Sequence, residues 1–213
     1  MKNLFDGFIF DIDGTLTSTN QLIFDSFNFI AKKYLNKTFT DEEIIAMFGP
    51  TEDVILKEWC GEKFEEARTE YYKYYSDYHW KTKLYSGIKE ILDYLKSNNF
   101  PLGIFTGKGR DASMITLRKL NVVHFFDLIV TGDDVINHKP SAEGILKFVN
   151  HFGLRKERVL MIGDSVGDVK AAKKAGIKIA SVLWDSYRRE KVLTLESDYY
   201  FHSVEELGKF LTI

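Results

Sequence analysis

The 213 residues amount to about 1.4 ordinary domains of roughly 150 residues, so one large domain or a domain with an insert is expected. Hydrophobic residues make up 45% and charged residues 28%, which excludes a disordered chain and provides for a sizeable core. A net charge of −2 without charge runs excludes a nucleic-acid partner held by phosphate electrostatics, and no stretch of about 18 apolar residues offers a membrane span.

In chain order, Phe8, Ile9 and Phe10 form the first apolar run, ending at Asp11-Ile12-Asp13-Gly14. From about Thr17 to Tyr85 the pattern is helical and rich in Phe, Tyr, Lys and Glu, with no buried strand. Helices are predicted over Gln21 to Leu35, from Asp41 as cap through Met47, over Thr51 to Trp59, and over Glu62 to Trp80, with Gly49-Pro50 as a break. Beyond Gly87, apolar runs at Leu102 to Phe105, Leu128 to Val130, Val159 to Ile162 and Ile177 to Leu183 alternate with helical patterns. Ile88, Ile91, Leu92 and Leu95 share one helical face; Ile115, Leu117 and Leu120 do so more loosely, and Ile145, Phe148, Val149 and Phe152 make a third. Continuous apolar runs alternating with helices predict an α/β fold, a doubly wound parallel sheet with right-handed crossovers. The expected division is a core of residues 1–17 and 86–213 with a helical cap over 18–85.

Asp11 and Asp13 stand two apart at a strand end, where period-2 geometry aims both carboxylates the same way. Gly14 lets the chain turn sharply there, and open α/β sheets bind ligands beyond the carboxyl ends of their strands. An isolated Asp-x-Asp is also simply a solvated turn. A calcium loop requires acids at positions one, three and five and glycine at six, whereas Gly14 is fourth. Gly163-Asp164-Ser165-Val166-Gly167-Asp168 follows another strand; it reads equally as a carboxylate site for a hard cation or as a helix N-cap. Thr106 and Lys139 suit a phosphate oxyanion, although each alone fits an ordinary loop. Gly103 to Gly109 lacks the spacing of a triphosphate-binding loop.

Together, in order and each at a strand end, these four motifs resemble those of the haloacid dehalogenase superfamily of phosphohydrolases. The likeness spans nearly the whole chain, with the helical insert where that family's subclass I cap lies. It implies Asp11 as nucleophile forming an aspartyl phosphate and Asp13 as general acid and base, the latter requiring a raised pKa. It implies Mg²⁺ held by the Asp11 and Asp164 side chains and the Asp13 carbonyl. Thr106 and the Gly107 amide would bind the phosphoryl group, Lys139 would balance its charge, and Asp168 would orient Lys139 or a metal-bound water. The cap would close as a lid on hinges near Thr17 to Asn20 and Leu84 to Gly87.

Dehalogenases in the strict sense lack an acid at the position of Asp13, so phosphoryl chemistry is expected. Thr131-Gly132-Asp133-Asp134-Val135 leading to Lys139-Pro140 resembles the phosphoglycolate phosphatases and related small pyrophosphatases. The implied activity is hydrolysis of a small phosphorylated metabolite, phosphoglycolate-like, with pyrophosphate as the alternative. A β-phosphoglucomutase-type isomerase shares the motifs, but its hinge histidine has no counterpart in Thr17 to Phe29. A silent binding protein on this fold is the remaining reading.

Cys60 is the only cysteine, which excludes an internal disulfide; with no recognisable targeting segment, a cytoplasmic setting is expected. Tyr71, Tyr72, Tyr74, Tyr75, Tyr78 and Trp80 are read as cap packing rather than a substrate entrance, and the five histidines show no ligand spacing. Neither the substrate nor the oligomeric state is encoded in a motif.

Overall fold

The computed structural model describes residues 4–186 and 189–211. β1 (Gly7–Phe10) leads into four helices, α1 (Asn20–Leu35), α2 (Asp41–Ala46), α3 (Glu52–Cys60) and α4 (Phe64–Asp77). The chain then alternates through α5 (Ile88–Ser97), β2 (Leu102–Phe105), α6 (Arg110–Lys119), β3 (Leu128–Val130), α7 (Glu143–Phe152), β4 (Val159–Gly163), α8 (Val166–Ala175) and β5 (Lys178–Val182). It ends with α9 (Arg189–Leu193), β6 (Tyr199–Phe201) and α10 (Val204–Leu211).

Among the described residues the sheet has six strands, parallel throughout, in the order β3-β2-β1-β4-β5-β6. The apolar runs are continuous because both faces are covered. Phe8, Phe10, Leu102, Ile104, Leu160 and Ile162 point to one face under α5 and α10, whereas Ile9, Phe105, Met161 and Ile179 point to the other under α7 and α8. Strand order reverses beside β1, and that switch leaves a crevice beyond the carboxyl ends of β1 and β4.

The helical insertion α1–α4 has its own core, built on Leu22, Phe27, Ile30, Leu56, Tyr71 and Tyr75. The chain leaves and re-enters the sheet domain along paired segments: Thr17 bridges Leu84, and the Tyr85 amide donates to the Leu16 carbonyl at 3.1 Å. Ala112 of α6 belongs to the insertion's apolar cluster and Ile115 packs against it, so the face of α6 is divided between two cores. That division explains why its apolar spacing is loose.

Several boundaries differ from expectation. Glu62 to Trp80 is not one helix: 3-10 turns at Gly61–Lys63 and His79–Lys81 flank α4. The cap of α2 is Thr40, not Asp41, because Thr40 and Glu43 form a reciprocal capping box. β6 lies outside the predicted strands; it is as short as β3 but reads Tyr-Tyr-Phe between Asp198 and His202, with no aliphatic run to mark it. Tyr71 and Tyr75 are fully buried as packing residues, whereas Trp80 is 77% exposed and supports no core. Among the described residues no helix is long and apolar enough to cross a membrane.

Candidate active site

Asp11 directly follows β1 and Asp164 directly follows β4, so two adjacent strands deliver their carboxylates to one crevice. Gly14 makes this possible, since its φ is +74° and an added Cβ would lie 2.5 Å from Asp164 Oδ2. Thr15 Oγ1 donates to Asp164 Oδ1 at 3.4 Å, and Ser186 Oγ donates to the Asp164 carbonyl at 2.6 Å. Lys139 Nζ lies 3.2 Å from Asp11 Oδ1 and 2.5 Å from Asp168 Oδ1.

Asp168 serves two structures at once. Its Oδ2 accepts from the Ser165 amide at 3.0 Å and the Ser165 hydroxyl at 2.7 Å, completing the capping box that starts α8. The N-cap and functional readings of this cluster are therefore compatible, since the other oxygen fixes Lys139. Burial works against the Lys139 ammonium, but Asp11 and Asp168 outweigh it and hold its pKa above the usual value.

Buried carboxylate oxygens of Asp11, Asp164 and Asp168 lie within 4.8 Å of one another. Both oxygens of Asp168 are engaged, whereas Asp11 Oδ1 has no aligned hydrogen-bond donor despite its burial. Burial raises the Asp11 carboxyl to about 7, with Lys139 opposing and Asp168 and Asp13 adding to the rise. Burial also pushes Asp164 well above the carboxylate range, with Asp11 adding to it. Two buried carboxylates that destabilise each other's charge fit a site for a hard, oxygen-seeking cation.

Thr106 follows β2, and its Oγ1 accepts the Lys108 amide at 3.2 Å, which leaves the hydroxyl hydrogen free to donate into the cavity. Gly107 lies beside it along the cavity wall. Asp13 lies toward the insertion, where Thr19 donates to Oδ1 and Lys108 Nζ lies 3.3 Å from both oxygens. The structure thus brings Asp11, Asp13, Thr106, Gly107, Lys139 and Asp164 around one cavity of about 270 Å³, with Asp168 behind Lys139.

Three contributors carried no recognisable sequence signal. Lys108 is buried, and although burial disfavours its charge, Asp13, Tyr75 and Glu52 hold its pKa above the usual value. Glu52 opens α3, and its Oε2 accepts the Gly109 amide at 2.7 Å while Oε1 lies 3.8 Å from Lys108 Nζ. An added Cβ at Gly109 would meet Glu52 Oε2 at 2.7 Å, so this close approach requires glycine. Thr19, just before α1, belongs to none of the four motifs, yet its hydroxyl donates to Asp13 Oδ1. Glu52 reads in the sequence as an ordinary first-turn acid, and Lys108 as a loop lysine.

The haloacid dehalogenase-like hydrolase family model matches residues 8–182, and the chain belongs to that family. Pyrophosphatase PpaX of Halalkalibacterium halodurans is 34% identical over 200 residues, covering 93% of each chain. Pyrophosphatase PpaX of Anoxybacillus flavithermus is 32% identical, covering 96% of each. The crystal structure of a predicted phosphoglycolate phosphatase from Haemophilus somnus superposes with a TM-score of 0.86 at 22% identity, covering 98% of this chain and 99% of that one. The protein is therefore a haloacid dehalogenase-like hydrolase with a six-stranded parallel sheet, a helical insertion and a buried aspartate cluster suited to a metal.

Proposed function

We propose that this chain is a Mg²⁺-dependent phosphohydrolase that transfers the phosphoryl group of a small phosphorylated metabolite to Asp11 and then to water. The observation that carries this reading is the placement of Asp11 and Asp164 at adjacent strand ends, with Lys139 held on Asp11 by Asp168. Residues 18–85 form the cap and residues 1–17 and 86–213 the catalytic core. Asp11, Asp164 and the Asp13 carbonyl would hold Mg²⁺, which when bound offsets the repulsion between an anionic nucleophile and an anionic phosphate.

Asp11 attacks phosphorus as the bond to the leaving oxygen breaks, and Asp13 delivers a proton to that oxygen. Water then attacks the aspartyl phosphate while Asp13 takes back a proton, releasing orthophosphate and restoring Asp11. Lys139 balances the charge of Asp11 and the moving phosphoryl group, and the Thr106 hydroxyl and Gly107 amide donate to its oxygens.

Of the two finer readings, the names of relatives at 30% identity or more favour pyrophosphate; the phosphoglycolate phosphatase likeness, at 22% identity, speaks to the fold alone. The test is orthophosphate release from a panel including pyrophosphate, phosphoglycolate, sugar phosphates and p-nitrophenyl phosphate. Release with Mg²⁺ that stops on adding EDTA and returns on adding excess Mg²⁺ is expected. Turnover indifferent to EDTA would overturn the metal assignment, and no release from any substrate would overturn the activity.

A further inference from the structure

The cavity has two unlike walls. The strand-end wall carries the carboxylates together with Lys108 and Lys139. The wall supplied by the insertion consists of Ile23, Phe27, Ile45, Phe48, Pro50 and Ile55, with Asn20 and Glu52 at its edge. Among the described residues that line this wall, Glu52 is the only ionisable one, and it is an acid.

Both lysines are already matched. Lys139 lies between Asp11 and Asp168, and Lys108 between Asp13 and Glu52. The phosphoryl group occupies the strand-end wall, so the leaving group projects toward the insertion. A second phosphate or a carboxylate on that leaving group would meet hydrocarbon and the Glu52 carboxylate, with no unmatched cation among the described lining residues. Burying an uncompensated anion in such a place is unfavourable, and because the single Lys108 ammonium is shared by Asp13 and Glu52, an excess negative charge remains there to repel it. An uncharged, apolar leaving group instead loses only its hydration shell on entering.

Resting on the phosphohydrolase reading above, we propose that the preferred substrates are phosphomonoesters of small uncharged alcohols with an apolar body, and that Glu52 sets this preference by rejecting anionic leaving groups. The role of Glu52 is to discriminate among substrates. Its link to the Gly109 amide anchors it to the core, so the repelling charge is held fixed instead of swinging into solvent. The proposal departs from what the names of the related pyrophosphatases would imply, and it applies equally against phosphoglycolate.

The test compares kcat/KM for n-butyl phosphate and benzyl phosphate with that for phosphoglycolate and pyrophosphate, all with Mg²⁺. Butyl phosphate and phosphoglycolate both expel an alkoxide, so their ratio isolates the carboxylate. At least a tenfold preference for the uncharged esters is expected; equal or better use of phosphoglycolate or pyrophosphate would overturn the proposal while leaving a phosphohydrolase. No release from any of the four, or from p-nitrophenyl phosphate, would overturn the phosphohydrolase reading and the proposal with it. Glu52→Gln retains an acceptor for the Gly109 amide, and it should raise the phosphoglycolate-to-butyl-phosphate ratio at least fivefold. An unchanged ratio in the folded variant would remove Glu52 as the determinant, since a merely structural role would lower both rates together; if the variant does not fold, the wild-type ratios still decide the substrate preference.

Discussion

The two walls of the cavity differ in how their polar groups are arranged. On the strand-end wall, Lys139 lies 3.2 Å from Asp11 and 2.5 Å from Asp168, with Asp164 buried beside them; Asp11 and Asp164 are fixed by strand ends and Asp168 by a helix cap. On the insertion wall a single carboxylate stands among apolar side chains, and its partners belong to the opposite wall. Chemistry that acts on the phosphoryl group needs rigid, convergent charge, which a parallel sheet supplies at its carboxyl edge. Selection among leaving groups needs only shape and one fixed charge, which a helical insertion can present from a few side chains. The seam between the walls runs through Lys108, which touches Asp13 on one side and Glu52 on the other, with the Tyr75 ring 5.0 Å away.

The largest expected effect breaks the strand-end wall. Asp11→Asn keeps the shape but removes the proposed nucleophile, and phosphate release should fall at least about a thousandfold while the far-ultraviolet circular dichroism is unchanged. Next comes the seam. Lys108→Met leaves Asp13 and buried Glu52 without their shared cation, so a loss of about 3 kcal/mol in stability is expected by denaturant titration. Turnover should fall with it, by about 10- to 100-fold, because Asp13 loses a partner that fixes its position.

A smaller effect concerns the packing of the insertion on α6. His79 Nε2 lies 3.2 Å from Thr116 Oγ1, and Nδ1 lies 3.0 Å from Thr82 Oγ1. Burial, reinforced by Lys108 and Lys119, lowers the His79 pKa from 6.5 to about 4. Between those values the unfolded chain binds a proton that the folded chain does not, so this contribution to stability is present at pH 7 and is lost as pH falls from about 6.5 toward 4. Thermal melts of the wild type should decline through that window, and those of His79→Gln should decline less. The smallest effect is that of Tyr71→Phe. The Tyr71 hydroxyl is buried without a hydrogen-bond partner, so its removal should leave the melting temperature unchanged or raise it, within about 1 kcal/mol.

Asp11, Thr106 and Asp164 were legible in the sequence because each stands at the end of an apolar run, Phe8 to Phe10, Leu102 to Phe105 and Val159 to Ile162, whereas Lys139 follows no such run and was reached only through the family resemblance. A strand fixes the direction of its next residue, so spacing alone locates the carboxylate. The doubly wound sheet was legible from the same apolar runs, except for β6, whose Tyr-Tyr-Phe carries no aliphatic run. The insertion's contribution was hidden because Glu52 meets Gly109 across 57 residues of chain, a contact that no local period encodes. Lys108 was equally hidden, since a sequence separation of 95 from Asp13 says nothing of their 3.3 Å approach. The loose apolar face of α6 carried a trace of this contact, because a helix that serves two cores shows no single stripe.

In the proposed mechanism Asp11 accepts the phosphoryl group. Acid quenching of the Mg²⁺-loaded enzyme during turnover of a ³²P-labelled phosphoester tests it most directly. Covalent label on the wild-type chain that is released by hydroxylamine, as an acyl phosphate requires, and none on Asp11→Asn, is the expected result. Label on the Asn variant, or turnover by the wild type with no trapped label under rapid quench, would contradict it.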